Sequence, residues 1–163
     1  LAIYALGASP ELIKDSYYKS HVPKMLPAPA SPHQITEKDF TEHLGDEKYV
    51  PYMRFLNVLL IISRYYDAYL AFFTDYLQQN SPTEALERFI FSPAYNFVPD
   101  HEATEGDSGK HPQMLNRLLG ALLHPFIHVF YGFEFGILGQ IAEGIANNSH
   151  CPAYHSLTMP IVF

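Results

Sequence analysis

Between Leu118 and Phe133, sixteen consecutive residues carry no formal charge. A helix drawn through them is apolar on nearly every side and has to be covered by other parts of the chain. A membrane span needs about twenty predominantly apolar residues. This run is shorter, contains two histidines, two glycines and a proline, and is flanked by Arg117 and Glu134. The expectation is therefore a buried helix of a soluble protein, with no membrane partner. Pro125 cannot donate to the carbonyl of Ala121, and its ring crowds that turn, so the helix should kink just before it.

The rest of the chain reads as helical too. Gly7 can close a first helix. Ser9-Pro10 opens a second, with Ser as N-cap and Pro at the first helical position, running to about Ser20. Four prolines between His21 and Gln34 make an extended loop. Thr36 is placed to cap a short helix ending at Gly45. A long helix is expected from about Pro51 to Gln79, since Phe55, Leu59, Ile62, Tyr66, Leu70, Phe73 and Leu77 recur every three to four residues. Ser81-Pro82-Thr83-Glu84 is a capping box, opening a helix to about Ile90. Ser92 to Lys110 is polar and aperiodic, a surface loop. A last helical region spans about Pro112 to Asn148. No run alternates convincingly with period two. The fold class is all-α: a helical bundle or array with a long Pro-kinked buried helix. Residues 1–163 form a single helical domain or a fragment of a larger one.

Composition narrows the function. With 48% hydrophobic and 17% charged residues the chain should be globular. Ten scattered Lys and Arg against seventeen Asp and Glu, a net charge of −7, offer no phosphate-binding stripe, so nucleic acid is not an expected partner. The single cysteine, Cys151, excludes an internal disulfide and a cysteine-rich zinc site. Twelve Phe and twelve Tyr fit either an aromatic core or a pocket for a flat ring.

His124 and His128 lie one helical turn apart, with Tyr131 and Phe135 continuing their face. Neutral imidazoles at this spacing can bind one metal ion together. They can equally be core histidines with satisfied partners. A catalytic metal takes three or more protein ligands, and His150, Glu134 and Glu143 are the remaining candidates nearby. By helical angle Glu134 points away from the pair. His150 returns to it only if the chain bends at Gly144 or Asn147. Position 125 is Pro where a His-Glu-x-x-His protease has its base. The Glu-x-x-His pair of di-iron bundles, the dinucleotide-binding turn and the Gly-x-Ser-x-Gly elbow are all missing. His101, among acidic neighbours, and Cys151, four residues before His155, carry only weak metal and nucleophile readings.

The chain starts without Met on what reads as the last turns of a helix, and ends on apolar residues. This is the expectation for a piece of a larger protein. No basic region followed by a hydrophobic run marks a signal peptide, so a cytoplasmic location is expected.

Three segments resemble the questin oxidase-like family of fungal secondary metabolism: Leu1 to Ser9; His124-Pro125-Phe126-Ile127-His128 with Tyr131-Gly132-Phe133-Glu134-Phe135; and Ala142 to Ala146 through His150. The middle segment is the most specific. The resemblance implies a longer protein and an oxidoreductase that uses O2 to open rings of anthraquinone-type aromatic polyketides. It also implies either a non-haem Fe(II) centre or an NADPH-dependent Baeyer–Villiger-type reaction without metal. Carried over by the motif, His124 and His128 are metal ligands, with His150 as a further ligand or pocket residue. Tyr131 and Glu134 are catalytic candidates, as pocket residues or as acceptors behind a ligand. A non-catalytic helical module binding an aromatic ligand is the reading from another class.

Overall fold

The computed structural model describes residues 4, 6–24, 30–45, 47–50, 60–97 and 112–150. Within them, helix starts follow local chemistry. Ser9 Oγ accepts the Leu12 amide at 3.2 Å, opening α1 (Pro10–Ser16), which widens into a π turn over Tyr17–His21. Ser81 and Glu84 form the reciprocal capping box that opens α3 (Pro82–Leu86), and this too passes into a π turn, Glu87–Phe91. Between them runs α2 (Tyr66–Gln79).

Two expected helices differ. Residues 37–45 form successive turns rather than a helix. Thr36 does occupy the cap position, and its N–H and hydroxyl donate to Asp39 Oδ1 at 2.7 and 2.8 Å, but the turn is not propagated. Of the long helix expected from about Pro51 to Gln79, the described residues show α2 and, before it, a strand. That strand, β2 (Leu60–Ser63), pairs antiparallel with β1 (Glu47–Val50), Glu47 opposite Ser63. The apolar run around Ile61 and Ile62 is short and β-branched, and periodicity does not separate such a strand from a helix. This ribbon leaves the architecture all-α. Residues 51–59, the segment holding His101, and Cys151 and His155 lie outside the described residues.

The last helical region is three helices: α4 (Met114–Leu118), α5 (Gly120–Glu134) and α6 (Leu138–His150). The chain reverses at Gly136, whose φ of 66° suits glycine at little cost. The Gly136 amide donates to Phe133 O at 3.3 Å and the Ile137 amide to Gly132 O at 2.8 Å, the bond pattern of a Schellman C-cap. The distortion tied to Pro125 falls at Leu123, which takes a φ of 66°.

α5 and α6 then pack as an antiparallel hairpin, the most extensive helix contact among the described residues. Glycine permits this approach: a Cβ on Gly144 would stand 2.7 Å from Val129 N and Cγ2, and one on Gly132 would collide with Ile141. α5 buries Pro125, Val129 and Gly132, while Phe126, Phe130 and Phe133 stay exposed, so its burial is one-sided. On the other side α6 packs against α2. Beyond lies an aromatic core centred on the fully buried Phe40, whose ring meets Tyr69, Phe73, Phe89 and Tyr95 at 5.1–5.7 Å. The Tyr69 hydroxyl donates to Phe40 O at 2.6 Å. Much of the aromatic content is thus core.

Candidate metal centres

Both histidines expected as ligands sit on α5. Their ring centroids are 6.4 Å apart and tilted by 42°. Two imidazoles sharing one ion at about 2.0–2.1 Å have centroids roughly 5 Å apart, so joint ligation requires a turn of the His124 ring, which lies at the surface.

His128 Nδ1 is buried and has no hydrogen-bond partner. The reversal at Gly136 brings Glu143 of α6 opposite it, with Oε1 3.6 Å from Nδ1. That is beyond the ~2.7–3.2 Å of a good N–H···O bond. It lies near the roughly 3.3 Å edge between two donors on one tetrahedral ion. A buried polar atom without a partner costs about 1–3 kcal/mol, and a cation between the imidazole and the carboxylate would remove that cost. His128 and Glu143 thus offer two donors to a divalent ion, and a third from His124 needs its ring to turn; among the described residues the three-donor group already gathered within 4.8 Å is His33, Asp39 and His43. Glu143 also acts on Tyr66, at the start of α2. Burial first, then the Glu143 charge, then Asp67, push the Tyr66 phenol up to about 12.

The other expected site residues are placed differently. Tyr131 is half-exposed and its described ring contacts are with Phe130 and, stacked, Phe135. Glu134, the last residue of α5, is exposed. His150 is the last residue of α6. The bend that returns α6 to α5 is at Gly136, not at Gly144 or Asn147.

A second cluster was not anticipated. Donor atoms of His33, Asp39 and His43 all lie within 4.8 Å of one another. His33 Nε2 stands 3.5 Å from Asp39 Oδ2, and the two histidine rings are 4.9 Å apart. His43 stacks on the buried Tyr65 at 4.1 Å and 17°. The Asp39 carboxyl is held below its ordinary range by hydrogen bonds from the Thr36 amide and hydroxyl, with a smaller contribution from His33. The spacing of these residues in sequence matches no common ligand motif, and the turns over 37–45 are what gather them.

Near the start of α5 opens a cleft of about 610 Å3, lined by Phe91, Phe97, Leu115 and Leu119 with the amides of Asn96, Gln113 and Asn116. No described helix is long and apolar enough to cross a membrane.

A search of the curated proteins and one of the solved structures both returned no match. The family model described as questin oxidase-like matches residues 1–160. That match spans all three of the segments that carry the resemblance and both histidine–carboxylate clusters. With a His/Asp/His group able to hold a metal ion and a match over nearly its whole length, this chain belongs to the questin oxidase-like family of oxidoreductases.

Proposed function

We propose that the chain works as an oxygen-dependent oxidoreductase that opens a ring of an anthraquinone-type aromatic polyketide. In this reading non-haem iron is held by His124, His128 and the carboxylate of Glu143. The observation that carries the reading is the buried, unpartnered Nδ1 of His128 facing Glu143 across 3.6 Å. Two imidazoles and one carboxylate are the donor set of non-haem Fe(II) oxygenases, and an iron ion bound there supplies the activation of dioxygen.

The chain's own residues do the remaining work. Pro125 and Val129 pack against α6 and hold the His128 side of α5 in place, while His124 turns at the rim. Tyr66 carries its proton across the neutral range as tyrosines do, and the shift up to about 12 keeps it protonated well into alkali, so it serves as a donor beside Glu143. Tyr131, with Phe130 and Phe135, presents flat rings on which an aromatic substrate can stack, and Glu134 borders them. The 610 Å3 cleft falls within the usual ligand-pocket range of about 300–1,000 Å3.

The test is iron analysis together with turnover on an anthraquinone. His128→Ala should lose both iron and activity, and retention of both would overturn the assignment. Activity that needs reduced nicotinamide and survives chelation would instead favour the metal-free, NADPH-dependent Baeyer–Villiger-type route.

A further inference from the structure

We infer that His33, Asp39 and His43 form a second divalent-metal site, separate from the one proposed on α5 and α6, with the donor set and spacing for zinc. The argument is geometric and does not depend on the iron reading. The donor atoms of all three residues lie within 4.8 Å of one another, so small side-chain rotations bring them onto the roughly 3.3 Å edges of a tetrahedral shell. The 3.5 Å between His33 Nε2 and Asp39 Oδ2 is too long for a good hydrogen bond. It is close to the roughly 3.3 Å between two donors on a tetrahedral ion. The 4.9 Å between the imidazole centroids matches the roughly 5 Å of two rings on one ion.

Each ligand is also held by a neighbour, as metal ligands usually are. Asp39 Oδ1 is occupied by the Thr36 amide and hydroxyl, which leaves Oδ2 to face the histidines. His43 is fixed by stacking on Tyr65, and His33 packs edge-on to the same ring at 5.1 Å. The segment itself is tied down at three places. Ser31 Oγ accepts the Ala68 amide at 3.0 Å, Arg88 Nη2 donates to Glu37 Oε2 at 2.9 Å, and Phe40 is buried in the core. His33 lies on the solvent side, so the shell has an entry path and room for water as a fourth ligand.

Two neutral imidazoles and one carboxylate suit Zn2+, and Co2+ substitutes for it as a coloured probe. The bound ion would cross-link the turns over residues 33–43 to one another.

The experiment is a Co2+ titration of the metal-free chain, followed by its visible d–d absorption. One equivalent should disappear in each of His33→Gln, Asp39→Asn and His43→Gln, and that same equivalent should survive in His128→Gln. Asp39→Asn keeps an oxygen for the Thr36 bonds, and His33 is exposed, so both variants should fold, as far-UV circular dichroism will check. Thr36→Ala should weaken this equivalent by about 10-fold or more, the usual effect of removing a ligand's support. An unchanged stoichiometry in folded His33→Gln and Asp39→Asn would overturn the site. Loss of an equivalent in His128→Gln alone would leave the iron reading standing while this one falls.

Discussion

The two histidine–carboxylate clusters hold the same chemical groups in opposite ways. Around His33, Asp39 and His43 the donors already lie within 4.8 Å of one another; Asp39 is fixed by hydrogen bonds, His43 by a stacked ring and His33 by edge-on packing on that same ring. On the α5–α6 hairpin the Nδ1 of one imidazole is buried with no hydrogen-bond partner, 3.6 Å from Glu143, and the other ring stands at the surface, 6.4 Å away. The first cluster is gathered by a short stretch of turns and steadied by the Tyr65 ring. The second exists only because two helices are brought together by a reversal at Gly136 and kept close by Gly132 and Gly144. A shell set in advance suits an ion that stays in place. An adjustable one suits a centre that takes up oxygen and substrate. The tyrosine pair at the start of α2 touches both: Tyr65 stacks on His43, and Tyr66 feels the charge of Glu143.

The comparison can be broken first at His128. Its replacement by Ala should lower metal-dependent activity by at least ~100-fold, since it removes a ligand and not only its support. Co2+ binding at the 33–43 cluster should be unaffected, and equal loss at both clusters would erase the distinction. Next, Gly144→Ala should destabilise the fold by about 1–3 kcal/mol in urea unfolding, because the new methyl meets Val129 and the Pro125 carbonyl. It should also weaken metal binding on the hairpin while sparing the turn cluster.

Smaller effects sharpen the contrast. The Tyr66 phenol, pushed up to about 12, should appear as the late step that Tyr66→Phe removes from the ultraviolet pH titration. Glu143→Gln should move that step down only in part, because burial is the larger cause. Since the folded state raises this value, its contribution to stability is complete below the ordinary tyrosine value of about 10. It is lost as the pH climbs toward 12. Asp39 has the reverse sign. Its folded value is lowered, so its contribution is present above the ordinary carboxylate value and lost as the pH falls through the lower one. Asp39→Asn should therefore flatten a small part of the acid limb of the stability curve.

Sequence reading succeeded where the determining contact is local. Ser9-Pro10 and the Ser81–Glu84 box start helices as expected, and the His124–His128 spacing puts both rings on one helix. It failed where distant residues decide. The Leu60–Ser63 strand is fixed by pairing with Glu47–Val50, which its own apolar spacing does not encode. A helical region drawn from Pro112 to Asn148 runs through Gly136, because an isolated glycine in a helical pattern is tolerated. Only the returning α6 shows it to be a C-cap, and only that return gives Glu143 to His128. The 33–43 cluster escaped for a related reason. Thr36 was seen as a cap, but the short helix drawn after it separated the residues that the actual turns bring together.

The central claim is that iron sits on the α5–α6 hairpin. Anomalous diffraction at the iron edge, from crystals of the iron-loaded chain, tests it most directly. The account predicts a peak between His128 Nδ1 and the Glu143 carboxylate, with the His124 ring turned toward it. Iron found only among His33, Asp39 and His43, with none on the hairpin, would contradict it.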